Sequence, residues 1–180
     1  APPPSCPRDP AQGIHIAADL SKPEDVELFI RQANEVLGDD PLHALVNNAG
    51  VSPKTPYKER LGCLNGDIEA WRDVFELNFF TPLTLSRGFA AALHRGKGAI
   101  CNITSIAGHY VHPFAGSAYS TSKAALSGLT REMAVEFAEL GVAAGAGHPR
   151  NAIDRTRLTG GVKGAAQLNR GGRQGSGGRW

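Results

Sequence analysis

The sequence predicts an α/β domain, with a parallel sheet and helices on both of its faces. Three observations carry that prediction. Short apolar runs at 13–20, 41–50 and 98–108 have the composition of buried strands. The segments between them show apolar residues at helical spacing, with helix-start and helix-stop residues at their ends. Strands and helices alternate along the chain, the pattern of crossover connections between parallel strands. Ligands in such sheets bind beyond the carboxyl ends of the strands.

Residues 1–12 carry five of the twelve prolines and read as an irregular lead-in. The run "GIHIAADL" at 13–20 is the first expected strand, ending at Asp19. Helix grammar follows: Ser21 as cap, Pro23 in the first turn, Glu24 and Asp25 at the positive helix end, and Gly38 as the stop. Val26, Phe29, Ile30 and Ala33 give this helix an apolar stripe. The second strand, in "PLHALVNNAG", ends in Asn47-Asn48-Ala49-Gly50. A long loop at 51–66 leads to a helix from about Asp67, in which Ile68, Trp71, Phe75 and Asn78 fall on one stripe. The third strand, in "GAICNITSIAG", follows a helix break at 95–98, and a last helix is expected from Ser117 to about Leu140.

After Val142 the periodicity stops. Residues 1–140 hold 12 Lys+Arg and 16 Asp+Glu, whereas residues 141–180 hold 7 Lys+Arg, one acid and 11 of the 22 glycines. The expected organisation is a lead-in at 1–12, a folded unit at 13–142 and a disordered Gly/Arg-rich tail at 143–180. That tail offers charge with one aromatic, Trp180, so it makes a poor nucleic-acid site. No apolar run approaches the ~20 residues of a membrane-spanning helix, and the start of the chain lacks the pattern of a secretory signal. The cysteines, Cys6, Cys63 and Cys101, are odd in number and far apart, which argues against a disulfide framework and for a cytoplasmic setting. His109, His112 and His148 do not form a metal-ligand set.

The chemistry-bearing stretch is "SAYSTSKAAL". Tyr119 and Lys123 stand at i and i+4, one helical turn apart on one face. A phenol titrates near ~10, and a neighbouring ammonium favours its ionised form. Such a pair can exchange a proton with a carbonyl or alcohol oxygen. The same spacing also arises on solvated helix surfaces. Ser105, at the end of the third strand, can bind that oxygen through its hydroxyl or can simply close a turn before Gly108. Asn78 lies among apolar residues, and Pro82 four residues later has no N–H for the Asn78 carbonyl. The freed carbonyl then either holds an ordered water or sits in a satisfied kink.

Taken together, these residues resemble the short-chain dehydrogenase/reductase family in its single-domain form. The resemblance rests on Asn47-Asn48-Ala49-Gly50 after a strand, Asn78 in the next helix, Ser105 in "NITSIAG", and Tyr119-x-x-x-Lys123. It implies a Rossmann-like doubly wound parallel sheet and hydride transfer between NAD or NADP and a small alcohol or ketone. By the same resemblance Tyr119 is the general acid/base, and Lys123 assists it and holds the nicotinamide ribose. Ser105 fixes the substrate carbonyl and Asn78 holds a relay water. Asp19 and the backbone of Leu20 flank the adenine, while Asn47, Ala49 and Gly50 line the cofactor groove. A homo-oligomer, dimer or tetramer, built on the Asn78 and Tyr119 helices, is also implied.

Two features of the family pattern are absent from these 180 residues. No glycine-rich turn precedes Gly13, so the first βαβ unit with its pyrophosphate site is missing. The strand at 13–20 thereby loses its neighbour; it must pair with 44–46, detach, or await another chain. After Val142 the expected strand ending in Pro-Gly gives way to Gly/Arg-rich sequence, as in a truncated or frame-shifted reading. The chain is therefore expected to be an incomplete Rossmann-like sheet, with its C-terminal strands also missing, and weak or inactive alone. The alternative is a non-enzymatic α/β subunit acting through helix-mediated association.

Overall fold

The structure, a computed structural model, describes residues 13–147 and 168–169. Its elements in chain order are α1 (Pro23–Leu37), β1 (Ala44–Asn47), α2 (Ile68–Phe75), α3 (Thr81–Gly88), α4 (Ala90–Gly96), β2 (Ala99–Ile103), α5 (Ser117–Glu136), β3 (Ala143–Gly147) and β4 (Leu168–Asn169). The sheet order is β3-β2-β1-β4. Strands β1, β2 and β3 run parallel, and β4 joins the outer edge of β1 antiparallel. This is the expected α/β architecture.

The expected strand at 13–20 does not form; the segment is extended without sheet pairing until a turn begins at Leu20. Its composition suits a strand, but a strand needs a partner for its ladder of backbone groups. The edge of β1 pairs instead with Leu168–Asn169. The segment is held by burial of Leu20, 1% exposed, and by the Thr81 hydroxyl, which donates to the Leu20 carbonyl at 2.8 Å.

The boundary expected at Val142 also moves. Residues 143–147 form β3, fully in register with β2 from Ala99↔Ala143 to Ile103↔Gly147. The sequence AAGAG has only small apolar side chains and no branched or aromatic residue to signal a strand, and the ladder with β2 supplies what composition does not. The strand expected at this point of the family pattern is thus present. The lead-in at 1–12 and the rest of the expected tail lie outside the described residues.

Helix α1 starts one residue later than the cap expected at Ser21: Lys22 is the N-cap and makes no side-chain capping bond. Pro23 opens the helix, and Gly38 ends it with φ 55°, a backbone region that favours glycine. Asp67 caps α2, accepting from the Glu69 N–H at 3.1 Å. The stripe in this region differs from the expected one: Val74, Leu77 and Asn78 are buried, while Ile68 is 61% exposed. In the same region a π-helical turn spans Glu76–Phe80, where the Thr81 N–H reaches back to Glu76. Pro82 cannot donate to Asn78, and the wider turn absorbs the mismatch.

The larger of two apolar clusters joins helices to one face of the sheet, and a smaller one gathers Leu61, Val74 and Ala118. Val26 and Phe29 of α1, Phe89, Leu93 of α4, and Met133 of α5 pack with Leu45 and Ile100. Phe29 meets Phe89 edge-on, with ring centroids 6.1 Å apart. Each such side chain contributes roughly 1.5–3 kcal/mol through burial. On the other face Val46 is 42% exposed and Ala99 is exposed. Among the described residues, the expected helices cover one face.

Candidate active site

The parallel register of β1 and β2 places Asn47 beside Asn102 on the covered face. The Asn47 amide donates to Asn102 Oδ1 at 2.8 Å, and the Asn102 amide donates to Thr130 Oγ1 of α5 at 2.9 Å. This buried polar chain ties β1 and β2 to α5. Asn47 Oδ1 is buried and has no partner among the described residues. Asn47, Leu20 and Ala49 share one cleft with Thr81, beyond the carboxyl end of β1.

After β1 the chain passes through Gly50 close to Asn78 and Lys123. A Cβ at Gly50 would lie 3.1 Å from Asn78 Oδ1 and 3.3 Å from Lys123 Nζ. The missing side chain leaves these two polar groups a common cradle. Asn78 is fully buried. Its Oδ1 accepts from the Val51 N–H at 2.8 Å, and its amide donates to the Val51 carbonyl and to Ser122 Oγ, both at 3.0 Å. Ser122 in turn donates to the Tyr119 carbonyl at 2.8 Å. The Asn78 side chain therefore joins the post-β1 loop to α5.

Tyr119 and Lys123 stand one turn apart near the start of α5. Tyr119 is half-buried and Lys123 is 4% exposed. Lys123 Nζ donates to the Ile103 carbonyl, at the end of β2, at 2.8 Å. Burial penalises the ammonium and lowers the lysine from 10.5 to about 8. Ser105 caps a 3-10 turn at Ile106–Gly108, its Oγ accepting from the Ala107 N–H at 3.2 Å. The turn-closing reading of this serine thus holds, and its O–H remains free to donate elsewhere, since accepting uses only a lone pair.

Asp19 behaves differently from the rest. Its carboxylate accepts from the Ser21 hydroxyl at 2.7 Å and the Ser21 N–H at 3.2 Å, and lies 3.6 Å from Lys22 Nζ. The Ser21 hydroxyl bond, first among these, holds its carboxyl below the ordinary range. Asp19 closes the turn into α1 and is not among the residues lining the Leu20–Asn47 cleft.

Sequence reasoning missed Ser122, Asn102 and the Ile103 carbonyl. Ser122 carried a signal, lying three residues after Tyr119 and immediately before Lys123. The other two become visible only through strand register.

The chain matches a known family. Residues 5–161 match the family model described as short chain dehydrogenase. The chain belongs to that family. Protein FixR of Bradyrhizobium diazoefficiens is 47% identical over 137 residues, covering 76% of this chain and 49% of that protein. A short chain dehydrogenase/reductase from Brucella ovis, solved in complex with a partially ordered NAD, is 49% identical, with a TM-score of 0.69, covering 73% of this chain and 60% of that one. NADPH-bound carbonyl reductase from chicken fatty liver is 28% identical, with a TM-score of 0.64, covering 73% of this chain and 55% of that one. This short chain dehydrogenase sequence spans about half the length of the curated relatives it matches.

Proposed function

We propose that this site handles the proton in oxidoreduction between a nicotinamide cofactor, NAD or NADP, and a small alcohol or ketone. The observation that carries the reading is Lys123: an ammonium buried to 4% exposure, one turn from Tyr119 and 3.3 Å from the Cβ that Gly50 lacks. A cation buried for packing alone is costly, whereas assisting the half-buried phenol one turn away would give it a role. We read Gly50, whose bare backbone approaches Asn78 and Lys123 closely, as the place where the ribose end of a nicotinamide nucleotide would reach the lysine. No glycine-rich turn for a pyrophosphate is present in these residues. The relatives solved with NAD and NADPH support the same cofactor class.

When bound, the nicotinamide supplies or accepts the hydride. Tyr119 gives its proton to the carbonyl oxygen in reduction and takes it back in oxidation. Ser105 keeps one lone pair on the Ala107 N–H and directs a hydrogen bond from its hydroxyl to the same oxygen, retaining its proton. Lys123 steadies the charge left on the phenol. Asn78 holds the Val51 backbone, and its own carbonyl, which Pro82 cannot serve, is the place for a relay water. Asp19 and the Leu20 backbone border the adenine end.

Saturation-transfer NMR with NADH and NADPH tests this on the 180-residue chain. The expected result is weak, millimolar binding with saturation strongest at the nicotinamide and its ribose, lost in Gly50→Val. Binding that survives Gly50→Val, or no contact with the nicotinamide end, overturns the reading.

A further inference from the structure

Gly108 closes the turn that Ser105 opens, its N–H donating to the Ser105 carbonyl at 3.0 Å. This turn lies directly on α5. A Cβ built at Gly108 would stand 2.8 Å from the backbone nitrogen of Ala124 and 2.9 Å from the carbonyl carbon of Lys123. Both are helix backbone, which cannot swing aside as a flexible side chain can. Ordinary contact between non-bonded heavy atoms needs ~3.5–4.0 Å, so a methyl group here would part turn and helix by roughly 0.7 Å. The contact sits between the two halves of the site: Ser105 on one side, Tyr119 and Lys123 on the other.

We propose that Gly108 is a positioning residue, whose bare backbone seats the Ser105 turn on α5 and so sets the spacing between the Ser105 hydroxyl and the Tyr119–Lys123 pair. Its consequence for chemistry rests on the function proposed above; the seating itself does not. The seating also closes one side of the lysine. The Lys123 ammonium donates to the Ile103 carbonyl, two residues before Ser105, so lifting the turn loosens this contact and admits water.

Gly98 provides a matched control. A Cβ there would strike the Leu42 carbonyl oxygen at 2.5 Å, also backbone, but at the opposite end of β2. The experiment follows the Lys123 Cε resonance by NMR through a pH titration in the unaltered chain, Gly108→Ala and Gly98→Ala. The unaltered midpoint is expected near 8, and Gly108→Ala is expected to move it upward while Gly98→Ala leaves it in place. In parallel, kcat for ketone reduction is expected to fall roughly 10–100-fold in Gly108→Ala, by analogy with misplacements of about 1 Å in other sites. The cofactor KM is expected to stay within about twofold, and Gly98→Ala to retain kcat in its folded fraction.

An unmoved midpoint in Gly108→Ala, or an equal movement in Gly98→Ala, overturns the seating. A moved midpoint in a chain whose turnover survives Tyr119→Phe leaves the seating intact and overturns the proposed function instead. Should Gly108→Ala fail to fold, the unaltered chain still decides: a nuclear Overhauser contact between the Gly108 α-protons and the Ala124 amide supports the seating, and its absence overturns it.

Discussion

Lys123 is useful to a phenol only while charged, yet the fold places it where charge is costly. Burial lowers it from 10.5 to about 8. Below pH 8 both the folded and unfolded chains carry the proton, and the native state bears the full cost of the buried cation. Between about 8 and 10.5 the unfolded chain binds the proton and the native one does not, so stability rises with pH. At ~1.4 kcal/mol for each pH unit, the relief across that interval is about 3 kcal/mol. Urea denaturation of the unaltered chain and Lys123→Met at both pH values measures it: the advantage of the methionine variant should shrink by that amount. A constant difference would mean that water reaches the amine. Tyr119, Lys123, Ser105 and Asn78 could be singled out in the sequence by their order and spacing, which carry the family resemblance. Asn47 Oδ1, which has no partner among the described residues, could not be, because a vacant lone pair depends on what every neighbour does.

At the level of elements, the helices were readable from their ends and stripes. Pro23 and Gly38 bound α1, Asp67 caps α2, and Ser117 begins α5 as expected. The strands were less so. The segment at 13–20 has the apolar composition of a strand and no ladder, whereas AAGAG has a ladder and little apolar side chain. Pairing is a property of two segments, and composition reports only one. The irregular turn at Glu76–Phe80 was half legible: Pro82 announced a disturbed helix, but not its π form. That turn aims Asn78 at the Val51 backbone, where it satisfies both an N–H and a carbonyl. Replacing Asn78 with leucine orphans both. At about 1–3 kcal/mol for each unsatisfied buried group, the loss should be roughly 2–6 kcal/mol in urea denaturation. A loss under about 0.5 kcal/mol, typical of surface substitutions, would show that the loop is not fastened there.

For the molecule as a whole, the two faces of one short strand test where the core lies. Leu45 and Val46 are neighbours in β1, and successive strand residues point to opposite faces. Leu45 is 2% exposed and packs with α-helical residues in the main core, while Val46 is 42% exposed. In this chain the covered face alone holds helices among the described residues, so stability should depend on one side of the sheet. Leu45→Ala should cost about 2–5 kcal/mol, the range for a core leucine left as a cavity. Val46→Thr, which keeps the branched shape a strand favours and adds a hydroxyl, should change stability by less than about 0.5 kcal/mol. Thermal and urea unfolding of the two variants give the comparison directly. A large loss in Val46→Thr would show that its face is packed in solution, and would place a second layer on the sheet where the described residues leave it open.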